Sequence, residues 1–358
     1  MLQTSNDRRP RAEGQRLIDT LWYTRCPVPT ATGLAIQEGL FDAEFEADGI
    51  QVLSLRASSS RDVRESHFDH RLPDSFRQGG SAPPIWNYSI HRDTKLIGLT
   101  WVDEYQAIIA RPESGIRRPE DLRGRRIGIP RRVNDKIDFF RAMCLRGACA
   151  ALALGGVGRD DVDLVDLPVT ETYMGDTAES SNGQLWSGGH RARRQQIEAF
   201  AMIRGAVDAI YVSGAAGLWL RDFLGARDVL ELGSHPDPEV RGSNQQPATL
   251  TVNAELVRER PDLVDRYLAQ VVQAAEWSRS NRRAAVQSFA NEVGTSYEWA
   301  DAAYGPRSHL LLTPSLSRAM VLGLESHKNF LLAHGFIQHD FDVEAWIERS
   351  PLQRLGSA

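Results

Sequence analysis

Cysteine is scarce in this chain. Its 358 residues include only three cysteines, Cys26, Cys144 and Cys149. An odd and sparse set of cysteines argues against a disulfide framework and leaves room for one reactive thiol. Cys144 and Cys149 lie in an apolar, alanine-rich stretch with a helical pattern, where cysteine usually acts as a small core residue. Cys26 is therefore the candidate for chemistry.

Long apolar runs and an excess of positive charge are also missing. No stretch approaches the ~20 apolar residues that span a bilayer, and residues 1–16 are polar, without the apolar core of an export signal. The formal net charge is -5, and the arginines are scattered among acidic residues. A protein without a basic face has no surface that would attract the phosphate backbone of a nucleic acid. These absences predict a cytoplasmic protein with neither a nucleic-acid partner nor a membrane partner.

Metal and cofactor motifs are equally absent. The cysteines and histidines do not show the paired spacing of zinc sites. The glycines of residues 154–158 lack the preceding strand and following helix of a dinucleotide-binding fingerprint. We therefore expect no metal and no cofactor.

What the sequence does contain is an alternation of strand and helix patterns. Hydrophobic residues make up 42% and charged residues 25%, which is typical of globular proteins. Residues 17–23 and 50–55 read as strands on either side of a short helix at 32–39. This βαβ opening predicts a parallel pair, and ligands bind at the carboxyl ends of such strands. Cys26 falls at one of these ends.

Two segments depart from the alternation. Residues 56–87 are rich in Ser, Gly, Pro and charge, and a loop of that length is usually functional. We expect it to be a weakly packed lid that brings His67 and Arg77 to Cys26 when ligand arrives. Residues 170–194 are rich in Gly, Ser and Asn and predict a surface excursion.

A first resemblance concerns the fold. Residues 95–130, with Ser114-Gly115-Ile116 and Asp121-Leu122-Arg123-Gly124, resemble the sulfonate- and pyrimidine-precursor-binding proteins of the periplasmic-binding-protein type II-like fold. The resemblance implies an α/β chain of two lobes with a ligand cleft between them. We expect residues 14–106 to form the first lobe, 107–245 the second, and 246–358 to return to the first lobe and end in helices.

A second resemblance concerns the chemistry. The run Tyr23-Thr24-Arg25-Cys26-Pro27-Val28-Pro29, together with His67-Phe68, Arg77 and Gly79-Gly80, is similar to the motifs of the 2'-hydroxybiphenyl-2-sulfinate desulfinase family. It implies a cofactor-independent, monomeric hydrolase that splits the C–S bond of an aryl sulfinate or related acid. The implied catalytic residues are Cys26, His67 and Arg77. The implied substrate-binding residues are Thr24, Arg25, Phe68, Gly79 and Gly80.

Individual roles stay open at this stage. Cys26 is either a nucleophile on the sulfinate sulfur or a proton donor to the ring carbon. His67 would tune its protonation, with His70 as a rival for that role, because histidine titrates near neutral pH. Arg77 and the Gly79-Gly80 amides would hold the sulfinate oxygens. Trp22, Phe68, Trp86, Tyr88 and Trp101 are candidates for an aromatic pocket wall, although such residues are usually core.

Two departures from the family bear on the substrate. Arg25, where the family has Asn, adds a cation next to the cysteine, and the chain looks shorter after Ile129. Both features predict a different or smaller acid than a biaryl sulfinate. The alternative function is a non-catalytic solute-binding protein for small sulfonates or aromatic acids.

Overall fold

Two five-stranded sheets organise the chain. The computed structural model describes residues 16–173 and 195–356. The first sheet has the strand order β2-β1-β3-β10-β4 and the second the order β7-β6-β8-β5-β9. The strands are β1 Thr20–Arg25, β2 Gln51–Ser54, β3 Ser75–Gly79, β4 Thr94–Thr100, β5 Gln106–Ala110, β6 Arg126–Arg132, β7 Asp163–Val169, β8 Ala209–Ser213, β9 Arg227–Glu231 and β10 Ala248–Asn253.

Helices connect these strands and follow the last of them. In the described part of the chain they are α1 Ala31–Gln37, α2 Leu40–Phe45, α3 Arg61–Asp69, α4 Ala82–Ile90, α5 Phe139–Leu154, α6 Gln196–Ile203, α7 Gly214–Phe223, α8 Pro238–Arg241, α9 Ala254–Glu259, α10 Pro261–Ser280, α11 Arg282–Val293, α12 Tyr297–Tyr304, α13 Arg318–Ala333, α14 Val343–Trp346 and α15 Ser350–Arg354. None of them is long and apolar enough to cross a membrane.

The predicted α/β class and two-sheet architecture are confirmed. Strands β1 and β2 are parallel, as the opening pattern predicted, and α1 begins at Ala31, five residues after Cys26. Thr30 accepts a hydrogen bond from the Gly33 amide and so caps α1. Strand β10 comes back from the second half of the chain and pairs antiparallel with β3 and β4. The strands between 20 and 100 thus share one sheet with β10, while those between 106 and 231 form the other. The exact lobe boundaries stay a prediction.

The prediction of a lid over residues 56–87 is wrong. This segment holds α3, β3 and part of α4. Strand β3 lies in the middle of the first sheet, and all five of its residues are buried. The sequence concealed this strand because it carries Arg77 and Gln78, polar residues that rarely occur in a core. The surface excursion expected over 170–194 lies largely outside the described residues.

Candidate active site

A cavity of about 120 Å³ lies between the two sheets. Residues from the first sheet and its helices, among them Cys26, His67 and Arg77, line one side. Residues that follow β6 line the opposite side, among them Phe139 and Phe140 at the start of α5. The cavity is therefore the cleft between lobes that the sequence predicted.

The Cys26 sulfur is the point where three polar groups meet. Cys26 follows the last residue of β1 and is buried. Its Sγ lies 3.8 Å from His67 Nε2 and 3.6 Å from Arg77 Nη2, and it accepts a hydrogen bond from the Gly80 amide at 3.3 Å. N–H donors and a cation around this sulfur can stabilise negative charge that develops on it during a reaction. The structure thus brings Cys26, His67, Arg77 and Gly80 together.

Strand register explains why these residues meet. Strands β1 and β3 are parallel, with Thr24 opposite Arg77. Side chains alternate between the faces of a strand, so Thr24 and the Cys26 that follows the strand point the same way. Thr24 Oγ1 lies 2.7 Å from His67 Nδ1, on the ring edge opposite Cys26. Thr24 therefore positions the imidazole, and the role of direct substrate contact predicted for it has no support in this geometry.

Arg77 is held from three sides. It is 1% exposed, and its Nε donates to the His67 carbonyl oxygen at 2.9 Å while Nη1 donates to the Gly80 carbonyl oxygen at 2.8 Å. Burial lowers the pKa of the guanidinium, and the neighbouring Cys26 sulfur opposes that effect. An arginine nevertheless remains a cation at any physiological pH. Arg77 is therefore a rigid positive charge beside the thiol.

The two glycines after Arg77 are required for close approach. An alanine Cβ at Gly79 would lie 2.4 Å from Cys26 Sγ, and the Gly79 φ of +149° is one that other residues rarely adopt. A Cβ at Gly80 would lie 2.2 Å from Asn244 Nδ2. Gly79 thus gives the sulfur its space, and Gly80 brings its amide to the sulfur.

Arg25 and Phe68 do not line the cavity. Arg25 points to the other face of β1, where its Nε donates to Glu292 of α11 at 2.9 Å in a buried ion pair. The prediction that Arg25 adds a cation beside the nucleophile is therefore wrong, because adjacent residues of a strand face opposite sides. Phe68 is buried behind the site, and its ring packs edge-on against the His67 ring with 5.0 Å between centroids. It supports the histidine and does not reach the cavity wall.

His70 is not an alternative to His67. Its Nε2 lies 3.1 Å from the Ser75 carbonyl oxygen, and its Nδ1 lies 3.3 Å from Thr251 Oγ1 on β10. Burial lowers the pKa of His70 to about 4, so the ring is neutral at physiological pH. His70 therefore serves the packing of the sheet.

The aromatic wall differs from the one expected. Trp22, Trp86, Tyr88 and Trp101 are not part of the cavity lining. Tyr88, for example, stacks on Trp346 in the core, with 5.1 Å between ring centroids. Among the residues that the structure describes, the aromatic ones that line the cavity are Phe139, Phe140, Tyr173 and Tyr304. They come from later segments that carry no motif in the sequence.

Asn244 was missed because it lies in a polar stretch without a motif. It is buried, its Oδ1 accepts from the Ala82 amide at 2.7 Å, and its backbone oxygen accepts from the Ser81 amide at 2.6 Å. The bond to Oδ1 orients the side-chain amide, so that Nδ2 lies over Gly80 at the cavity wall. An amide donor thus stands close to Cys26.

Glu104 and Arg132 were missed as well. Glu104 lies in the segment that joins β4 to β5, which carries no motif, and it lines the cavity. Arg132, at the end of β6, lines it too, but its Nε is paired with Asp135 at 2.6 Å. Within residues 16–173 and 195–356 there is no group of three or more His, Cys, Asp or Glu side chains that could hold a metal.

Comparison with known proteins identifies related chains. The 2'-hydroxybiphenyl-2-sulfinate desulfinase of Rhodococcus erythropolis is 28% identical, over 92% of this chain and 91% of that protein. The enzyme of the same name from Rhodococcus qingshengii matches equally well. No family model matches the chain.

Solved structures of two kinds of protein resemble this chain. A cysteine-to-serine mutant of the desulfurization enzyme DSZB, in complex with biphenyl-2-sulfinic acid, is 28% identical and superimposes with a TM-score of 0.75, covering 96% of this chain and 100% of that one. The sulfonate-binding protein SsuA from Methylobacillus flagellatus, at 13% identity, shares the fold with a TM-score of 0.69 over 95% of this chain and 96% of that one. This chain is thus a relative of the 2'-hydroxybiphenyl-2-sulfinate desulfinases, on the fold of the sulfonate-binding proteins, as its sequence motifs predicted.

Proposed function

We propose that this protein is a cofactor-independent desulfinase that cleaves the C–S bond of an aryl sulfinate. The reaction consumes one water and yields the arene and hydrogen sulfite, which makes the enzyme a hydrolase. The observation that carries the proposal is the convergence of His67, Arg77 and the Gly80 amide on the Cys26 sulfur. It occurs in the cleft of a chain related to desulfinases over most of its length.

Arg77 and Asn244 are the groups that we assign to the sulfinate oxygens. Three of the N–H groups of Arg77 already serve His67, Gly80 and Cys26. Because a guanidinium has five N–H donors, two have no partner within the described part of the chain and can serve a ligand. Asn244 Nδ2 adds a neutral donor at the same wall. Together, the positive charge of Arg77 would attract an anion to a place beside the sulfur, and the N–H donors of both residues would orient it.

Two chemical routes fit this arrangement. In the first, the Cys26 thiolate attacks the sulfinate sulfur, the ring carbon leaves with its electron pair and takes a proton from His67, and water then releases sulfite from the cysteine. In the second, the Cys26 thiol protonates the ring carbon, SO₂ departs, and water converts it to hydrogen sulfite. His67 lies where it can exchange a proton with Sγ in either route. Only the first route forms a covalent adduct on Cys26.

The size of the cavity supports a small aryl group. Its volume of about 120 Å³ is close to the ~150 Å³ of an apolar cavity that takes up benzene. With Arg25 turned away, this volume remains the support for a smaller acid. That the enzyme acts as a monomer is part of the same proposal.

The test is sulfite release from purified protein. Benzenesulfinate, biphenyl-2-sulfinate and 2'-hydroxybiphenyl-2-sulfinate are supplied in parallel, and sulfite and arene are both quantified. We expect equal amounts of the two products from at least one of these compounds. Binding of sulfinates and sulfonates without any sulfite would instead indicate a non-catalytic solute-binding protein. Mass spectrometry of the Cys26 peptide, quenched during turnover, separates the routes, because only the nucleophilic route leaves an SO₂ adduct.

A further inference from the structure

Glu104 is a buried acid in the wall of the cleft that the proposed chemistry does not use. It lies between β4 and β5, where the chain passes from the first sheet to the second. Its side chain lines the same cavity as Cys26, and the residue is only 5% exposed. The carboxyl oxygen Oε1 is buried and has no hydrogen-bond partner among residues 16–173 and 195–356.

The surroundings of Glu104 form a polar corner of the cavity. Gln245 lines the cavity as well, and its Oε1 is a second buried acceptor that lacks a partner within the described residues. Glu104 Oε2 and the Tyr304 hydroxyl both lie near Gly214. A Cβ built on Gly214 would be 3.3 Å from the first atom and 3.4 Å from the second. Glu104, Gln245 and Tyr304 thus come from three separate segments to one place.

Buried acceptors without partners cost folding free energy, so a site that keeps them usually has another use for them. Burial raises the pKa of Glu104 to about 8, although a hydrogen bond from Gln246 opposes the shift. Near neutral pH the carboxyl group is therefore mostly uncharged and offers one donor and one acceptor. Such a group does not repel an anionic substrate, and it pairs well with a hydroxyl group.

We propose that Glu104, assisted by Gln245, binds a hydroxyl substituent on the aryl group of the substrate, away from the sulfinate. This inference rests on the proposed function and deepens it by assigning the residues that would recognise a hydroxyl group on the ring. Cys26, Arg77 and Asn244 act on the sulfinate, while Glu104 and Gln245 select the substituent on the ring.

The experiment compares matched substrates that differ only in the hydroxyl group. kcat/KM is measured for 2'-hydroxybiphenyl-2-sulfinate and biphenyl-2-sulfinate, and for hydroxylated and plain benzenesulfinate. A hydrogen bond to a neutral partner predicts a preference of about three- to tenfold for the hydroxylated compound in the wild-type protein. In Glu104→Leu this ratio should fall to about one, whereas Glu104→Gln, which keeps a donor and an acceptor, should retain most of it.

Glu198→Gln is the matched control. Glu198 is also a buried acid, and burial raises its pKa to about 7, but it does not line the cavity. This variant should leave the substrate ratio at its wild-type value. A folded Glu104→Leu variant with the wild-type ratio overturns the inference.

A further readout needs no variant. 2-Hydroxybiphenyl should inhibit the wild-type protein more strongly than biphenyl, and equal inhibition also overturns the inference. Failure of the proposed function looks different, because then no aryl sulfinate of either kind releases sulfite.

Discussion

The two sides of the cleft differ in composition and in how firmly they are built. On the side of the first sheet, Cys26, His67 and Arg77 are all buried and tied together by hydrogen bonds to backbone and side chains. The opposite side presents Phe139, Phe140 and Met143 from α5. Fixed polar groups suit bond cleavage, whereas apolar side chains provide shape and area for a ring. We infer that the chemistry belongs to the first side and that the apolar second side holds the aryl ring.

The largest expected effect comes from removing the thiol. Cys26→Ser should lower kcat for sulfite release by at least ~1,000-fold, because a hydroxyl group is far less acidic than a thiol and a poorer nucleophile. Binding of aryl sulfinate, measured by calorimetry, should persist. Cys144→Ser is the control: burial raises the pKa of that thiol, and it lies outside the cavity. A Cys26→Ser protein with full turnover would remove Cys26 from the mechanism.

A methyl group at Gly79 should have the second largest effect. In Gly79→Ala the new Cβ would meet Cys26 Sγ at 2.4 Å, and displacing a reacting atom by about 1 Å costs on the order of 100-fold in rate. Gly39→Ala provides the matched control, because Gly39 also has a positive φ, of +69°, but no atom lies within 4 Å of its Cβ position. We expect both variants to melt earlier, and only Gly79→Ala to lose turnover. Equal activities would show that the sulfur tolerates a shift.

A smaller effect is expected at Asn244. Loss of its donor in Asn244→Ala should lower kcat/KM by about 10- to 100-fold, which corresponds to one hydrogen bond to a charged group. Asn244→Asp should be worse still, because its carboxylate would repel the sulfinate. Asn87→Ala removes another buried asparagine, whose Nδ2 donates to the Asp69 carbonyl oxygen away from the cavity. That control should change the melting temperature and leave kcat/KM alone; the reverse pattern would refute the role of Asn244.

The smallest effect on turnover is expected at Arg25, the neighbour of Cys26 in the sequence. Arg25→Met breaks a buried ion pair with Glu292 and should cost about 3–5 kcal/mol of unfolding free energy, because a buried charge loses its partner. Turnover of the folded protein should stay within about threefold. Replacing both partners, as Arg25→Met with Glu292→Leu, should restore much of the stability in urea unfolding. A large loss of kcat without a loss of stability would instead indicate that Arg25 acts in the active site.

Local patterns in the sequence predicted most of the strands and helices. Apolar periodicity predicted strand β2 and helix α5, because the apolar residues of these elements recur with the spacing of a strand or a helix. Strand β3 was missed because its buried residues include Arg77 and Gln78. They find hydrogen-bond partners far along the chain: Arg77 Nη2 lies 3.6 Å from Cys26 Sγ, and Gln78 Oε1 accepts from the Thr32 amide. Periodicity cannot detect burial that depends on such distant partners.

By itself the sequence determined the α/β class, the candidate cysteine and the resemblance that associates His67 and Arg77 with it. Only the tertiary structure decided which sequence neighbours of Cys26 contact the site. Thr24 contacts the His67 imidazole, whereas Arg25, the next residue, pairs with Glu292 on the opposite face of the strand. It also brought Glu104 and Asn244, more than a hundred residues apart, into the same cavity. The physical reason is that strand register and the return of β10 set these contacts, and both depend on pairings between distant segments that no local pattern encodes.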